Sequence, residues 1–184
     1  VGVTIDGSVG GRQANVVANR AIDVRGKIGA EVDGSRVDLS GTLMTAGSSI
    51  SMDGTGLLTV GGRVEGGTLS VDSGGQALLD SSTGVWSALT LDGDAALVNG
   101  ADLTIQNGLT LANGHRLSIN STNTYTDLLF TGASQTLGGH GEVVFGGTQP
   151  YGRLQSNVDA GQVLTIGVGV TIDGSVGGRQ ANVV

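Results

Sequence analysis

Short runs of the form apolar–polar–apolar recur along the whole chain, each closed by Asp, Asn, Ser or Gly. Examples are Val3-Thr4-Ile5-Asp6-Gly7, Val37-Asp38-Leu39-Ser40-Gly41, Ile50-Ser51-Met52-Asp53-Gly54, Leu89-Thr90-Leu91-Asp92-Gly93, Leu103-Thr104-Ile105, Leu109-Thr110-Leu111, Leu117-Ser118-Ile119 and Leu164-Thr165-Ile166. In an extended backbone the two apolar side chains of such a run point one way and the hydroxyl or carboxylate the other, so each run predicts a three-residue strand. The trailing Asp-Gly, Asn-Gly or Gly-Gly predicts a turn, because these residues accept positive φ. The runs follow one another closely, and no stretch with the period of an amphipathic helix separates them. That excludes βαβ folds and leaves sandwiches, barrels and solenoids.

A second, longer period decides among these. Residues 1–17 read VGVTIDGSVGGRQANVV, and residues 168–184 repeat them without a single difference at an offset of 167. The chain therefore reads as one unit, 1–167, followed by the start of the next identical unit, 168–184. Beginning at Val1 rather than Met, it reads as a piece cut from something longer. The join, Gly161-Gln162-Val163-Leu164-Thr165-Ile166-Gly167-Val168-Gly169-Val170-Thr171-Ile172, is strand-like straight through. A sandwich domain needs a linker there, whereas a solenoid keeps winding. The expected fold is all-β: a single-stranded parallel β-helix, or β-solenoid. At ~20 residues per coil, the unit would hold about eight coils and rise roughly 40 Å along the axis.

Composition tests this picture from another side. The 35 Gly among 184 residues put the chain in the range where low complexity becomes a live reading. Against disorder stand 51 Val, Leu, Ile and Phe residues, more than a quarter of the chain. Glycine is thus read as punctuation between strands. The absence of Cys excludes disulfide scaffolds, Cys-based zinc sites and thiol chemistry. A net charge of −7 argues against a nucleic-acid partner, and five aromatics offer little for base stacking. No apolar run approaches the ~18 residues that span a bilayer, so the chain is not expected to be membrane-embedded.

The stretch Gln135-Thr136-Leu137-Gly138-Gly139-His140-Gly141-Glu142-Val143-Val144-Phe145-Gly146-Gly147 is the most distinctive, and it leads into Leu164-Thr165-Ile166-Gly167-Val168-Gly169-Val170-Thr171-Ile172. This pair resembles a pattern of large, repetitive bacterial surface proteins, with Val168 standing where that pattern carries Pro. Those proteins in turn resemble filamentous-haemagglutinin-type adhesins and autotransporter passenger domains. The close resemblance is confined to the stretch from Gln135 to Ile172, while the looser strand–turn pattern covers nearly all of the chain. It implies a right-handed β-helix, an extracellular or cell-surface location, and a structural or adhesive role in a fibre, sheath or adhesin stalk. Partners would be further copies of the repeat, head-to-tail and side-to-side, and surface glycans. No catalytic residues are carried over.

Two alternatives come from other classes. The first is a carbohydrate-active β-helix enzyme, a polysaccharide lyase or hydrolase, which predicts a long groove with clustered Asp and Arg. A glycosidase needs two carboxyls ~5–9.5 Å apart. Asp92 and Asp94 are neighbours, but flanking Gly93 they read as solvated turn residues. The second is a Ca²⁺-stabilised module, in which Asp53 and Asp72 on adjacent coils would bridge the ion. The Ca²⁺ nonapeptide pattern fails, because Glu142 and Val143 follow Gly138-Gly139-His140-Gly141. No cofactor is otherwise expected, and no enzymatic activity. Arg20, Arg25, Lys27 and Arg36 form the one basic cluster and read as coil edges pairing with Asp23, Glu31 and Asp33. His115 and His140 read as exposed, and the spacing supports no Ser/His/Asp constellation. Asn99, Asn107 and Asn113, each before Gly, recur at intervals of 8 and 6, too irregular to establish a corner ladder of amides. Thr122-Asn123-Thr124-Tyr125-Thr126 is the one Thr-x-Thr run. Trp86 and Tyr151 sit in turn-like contexts and read as coil caps sooner than as exposed contacts.

Overall fold

The computed structural model describes residues 4–6, 13–23, 27–30, 36–45, 49–52, 57–71, 76–80, 84–174 and 182–183. Among these there is no helix, and the strands all join one sheet. The first are Thr4–Asp6 (β1), Gln13–Asp23 (β2), Lys27–Ala30 (β3), Arg36–Met44 (β4), Ser49–Met52 (β5) and Leu57–Val60 (β6). Next come Arg63–Glu65 (β7), Thr68–Val71 (β8), Gln76–Leu79 (β9), Gly84–Asp92 (β10), Ala95–Leu97 (β11) and Asp102–Leu111 (β12). Arg116–Ser121 (β13), Thr126–Gly132 (β14), Gln135–Gly139 (β15) and Glu142–Gly147 (β16) follow, then Gly152–Val158 (β17), Leu164–Ile166 (β18), Thr171–Asp173 (β19) and Asn182–Val183 (β20).

Every pairing is parallel, and each joins a strand to one a single round further along the chain. Three ladders result. The first runs β1, β3, β5, β8, the end of β10, the end of β12, β15, β18. The second runs from the start of β2 through the start of β4 to β6, β9, β11, β13, β16 and β19. The third takes the ends of β2 and β4, then β7, the starts of β10 and β12, β14, β17 and β20. The chain visits them in strict rotation, which is a β-solenoid of stacked three-sided coils.

The alternation read from sequence sets what faces inward. In the first ladder Ile28, Ile50, Leu69, Leu91 and Leu111 stack one above another, all buried. In the third, Leu43, Val64, Trp86, Ile105 and Phe130 do the same. Each such side chain contributes roughly 1.5–3 kcal/mol by leaving water, so a few aliphatics per coil supply the core without many aromatics.

Two readings are corrected here. Several runs are not separate three-residue strands: Leu103-Thr104-Ile105 and Leu109-Thr110-Leu111 belong to one bent strand, β12, whose corner lies at Asn107 (φ 57°) and Gly108 (φ 92°). The corner of β10 falls at Ala88 (φ 51°), where the ladder shifts register between Ser87 and Leu89. Trp86, read as a turn residue, is instead fully buried between Val64 and Ile105 in the middle of the core. The corner interrupts the alternation, burying Trp86 and Ser87 in succession, and this hid the strand.

Candidate functional surface

Among the described residues, a cluster of charged and aromatic groups stands on the outer side of the third ladder. Leu103, Leu128 and Leu154 are register partners that turn inward, and the residue before each, Asp102, Asp127 and Arg153, forms a line along the axis. Arg153 grips Asp127 with two parallel bonds, Nε to Oδ1 at 2.7 Å and Nη2 to Oδ2 at 2.5 Å. Such bidentate, charge-assisted pairs are the strong class of hydrogen bond. The Asp127 side chain is only 9% exposed, so this carboxylate is both covered and satisfied. Asp102 lies one coil below it. Burial, and next the neighbouring Asp127 charge, push the Asp102 carboxyl above its ordinary range, and Arg153 offsets part of this. Arg153 is held more firmly protonated, first by its hydrogen bond to Asp127.

Two tyrosines extend the cluster. The Arg153 guanidinium lies 3.9 Å from the centroid of the Tyr125 ring, a cation–π contact. Tyr125 meets Tyr151 edge-on, with centroids 5.6 Å apart and planes at 66°. Both rings are exposed, Tyr125 by 54% and Tyr151 by 37%. Tyr151, read from the sequence as a coil cap sooner than as an exposed contact, has its ring at the surface. The charged line escaped sequence reasoning because its members are separated by whole rounds of the coil. The signal that finds it is a charged residue directly before an inward Leu at three strand starts.

Asp92 and Asp94 do converge, on His115. Its Nε2 is 3.6 Å from Asp92 Oδ1 and its Nδ1 is 3.5 Å from Asp94 Oδ1. Both carboxylates are largely exposed, at 53% and 66%, and Asp94 also accepts the Arg116 backbone N–H at 3.0 Å. They are solvated corner groups, as read. His140 lies at the same corner one coil on, exposed, its carbonyl accepting the Gly114 N–H at 3.4 Å. Among the described residues no group of three His, Cys, Asp or Glu is arranged to hold a metal ion. Asp53, Asp72, Arg25, Glu31 and Asp33 lie outside the described residues, as do the side chains of Lys27 and Arg36. Arg20 and Asp23 are exposed.

The amide corner forms with a different membership. Asn99 Oδ1 accepts the backbone N–H groups of Thr122, Asn123 and Thr124 at 2.7, 3.0 and 3.2 Å, and its Nδ2 donates to Asn123 Oδ1 at 2.7 Å. Asn107 instead donates to Ser87 Oγ, and Asn113 sits in an exposed turn. Thr122–Tyr125 is an exposed bend, not a strand face. The regular threonine column is elsewhere: Thr68, Thr90 and Thr110 stack on the outer side of the first ladder. Two concavities, about 370 and about 550 Å³, are open hollows on the outer faces, and neither is lined by Asp102, Asp127 or Arg153.

The last coil presents apolar side chains along the axis. Val163 is 60% and Ile166 37% exposed, although Ile166 continues a column whose member one coil below, Leu137, is fully buried. Among the described residues no helix is long and apolar enough to cross a membrane. No family model, curated protein or solved structure matches the chain.

Proposed function

We propose that the chain is a structural repeat of an extracellular bacterial fibre, sheath or adhesin stalk. Identical units, each spanning the 167-position offset, would continue head-to-tail as one right-handed β-solenoid of about eight coils per unit. One observation carries this reading. The second copy of the repeated sequence does not start a separate body: Thr171–Asp173 pairs with β16 and Asn182–Val183 with β17, so the next unit is already wound onto the same ladders. Uninterrupted backbone pairing along the axis would give stiffness, protease resistance and reach. A net charge of −7 on each such length keeps neighbouring fibres soluble and apart. Surface location and adhesion rest on the resemblance of Gln135–Gly147 and Leu164–Ile172 to repetitive surface proteins.

Sequencing the coding region on both sides tests this: further copies are expected, and a solitary unit would sink the reading. A second reading, a carbohydrate-active enzyme, is favoured by the Asp102–Asp127–Arg153 line beside two exposed tyrosines. With both Asp127 oxygens bound to Arg153, that carboxylate is poorly disposed to attack a sugar. Turnover of acidic or neutral polysaccharides by the chain, lost in Asp102→Asn, would reverse the preference.

A further inference from the structure

The two copies of the repeated sequence lie on different sides of the solenoid. Thr4–Asp6 belongs to the first ladder, paired with Lys27–Gly29. Its copy, Thr171–Asp173, belongs to the second, paired with Glu142–Val144. The same step recurs further along. Asn15 and Val16 lie in the second ladder opposite Asp38 and Leu39, whereas their copies Asn182 and Val183 lie in the third, opposite Arg153 and Leu154. Two separate stretches of identical sequence are each advanced by one face.

The cause is a remainder. Of the 18 strands β1–β18, four (β2, β4, β10 and β12) turn a corner and serve two ladders, so the described residues of one unit supply 18 plus 4, or 22, ladder segments. That is seven rounds of three with one left over. We propose that consecutive units are related by a screw of seven and a third coils, about 35 Å along the axis at ~4.8 Å per coil. Each unit is turned by a third of a revolution, and the fourth stands directly above the first. The proposal rests on the head-to-tail reading above and replaces its approximate coil number.

A screw leaves every contact within a unit unchanged, because each segment still stacks on its own unit's segment one round away. Only the joint has to fit. It places the first three segments of one unit (β1, the start of β2, the end of β2) on the last three of the unit before (β16, β17, β18). The first two of these pairings are present. The third sets Ile22 of the following unit over β18. Ile22 and Ile166 are each 37% exposed, while their ladder partners Leu43 and Leu137 are fully buried. The joint covers these two apolar side chains with each other. The Tyr125–Tyr151–Arg153 corner then faces three directions in turn, and a partner binding it meets equivalent surfaces all round the fibre, recurring on one side every three units, roughly 105 Å.

Because the chain lacks Cys, paired cysteines report the phase directly. In the 184-residue chain, Thr171→Cys with Glu142→Cys is expected to form a disulfide on mild oxidation, since these are register partners. Thr171→Cys with Gly138→Cys, which would meet if the second copy began on the first ladder as the first copy does, is expected to stay reduced. A folded chain in which the 138–171 pair closes, or neither pair does, overturns the proposal. As a measurement free of these substitutions, cryo-electron microscopy of a chain of six consecutive units is expected to give a rotation of a third of a turn per unit, and zero rotation along a continuous rod overturns the screw. Should the 142–171 disulfide form while six units image as separate beads, the phase within this chain stands and the head-to-tail fibre reading fails instead.

Discussion

Gly139→Ala isolates the contact that stacking makes at a corner. Gly139 closes β15 directly on Leu111 of the coil below, with φ at +94°. A Cβ built there stands 1.9 Å from the Leu111 carbonyl oxygen and 2.8 Å from its carbon, so one coil must lift off the other by more than an ångström. That same oxygen accepts the His140 N–H at 3.0 Å, and lifting breaks this bond. An alanine in the left-handed region costs about 1–2 kcal/mol, and a buried hydrogen bond left unmade costs about 1–3 kcal/mol. The stiffer unfolded chain returns about 0.4–1 kcal/mol. The net expectation is a loss of about 2–4 kcal/mol. Gly161→Ala is the control, because φ there is +81° but nothing lies within 4 Å of the added Cβ. It carries the backbone strain alone, about 1 kcal/mol after the same correction. Urea unfolding followed by far-ultraviolet circular dichroism measures both, with the midpoint shifting at unchanged slope. Equal losses in the two variants would refute the claim that glycine here makes room for the neighbouring coil.

Leu117→Ala, in a fully buried position between Ala95 and Val143, is expected to cost about 2–5 kcal/mol in the same assay. Asn99→Ala removes the acceptor of three backbone N–H groups, and is expected to lose about 1–2 kcal/mol and to speed amide exchange at Thr122, Asn123 and Thr124 above all others. A double-mutant cycle on Asp127→Asn and Arg153→Gln should return a coupling on the order of 1 kcal/mol that shrinks with added salt. The Asp102 carboxyl is raised in the folded state, so the folded chain holds that proton more tightly than the unfolded one and its ionisation costs stability. Stability contributed by Asp102 is therefore present below its unfolded value, near ~3.9, and falls as pH rises through the higher folded one. Asp102→Asn is expected to gain relative to the parent between about pH 3.5 and pH 7, and a constant difference across that range would count against the burial of Asp102 and its stacking beneath Asp127.

How far the sequence speaks for this fold depends on the range of the signal. Apolar–polar–apolar runs followed by Gly or Asn-Gly are local, and Leu89–Asp92, Leu117–Ile119 and Leu164–Ile166 all fall in strands as read. The identical ends predicted continuity, and β19 and β20 continue the ladders. Where a corner falls inside a strand the local signal misleads: Ala88 takes positive φ without being glycine, and Trp86 beside it reads as a turn. The outer surface was hardest to read, because which residues share a line depends on coil lengths. The round from Thr68 to Thr90 is longer than the next, from Thr90 to Thr110, and the rounds from Asp102 to Asp127 and from Asp127 to Arg153 are longer than either. With rounds of unequal length, no fixed period in the sequence aligns them. The irregular spacing of Asn99, Asn107 and Asn113 has the same cause, since those three asparagines fall within a single round and the partner of Asn99 is Asn123, on the next.

Because every strand pairs with the one a single round away, the sequence separation across the sheet varies only between narrow limits, shortest from Ala77 to Ala95 and at its longest from Arg153 to Asn182. Loop-closure entropy is then nearly the same at each step and does not accumulate with length. A chain built this way meets no distant partner for which it must wait. Each completed coil is the template for the next, and the time to add a unit would not depend on how many units precede it. The same locality sets the way it fails: damage in one coil frees the strand edges of the coils on either side and leaves coils further along intact, so a long solenoid would break into folded lengths rather than unfold as a whole.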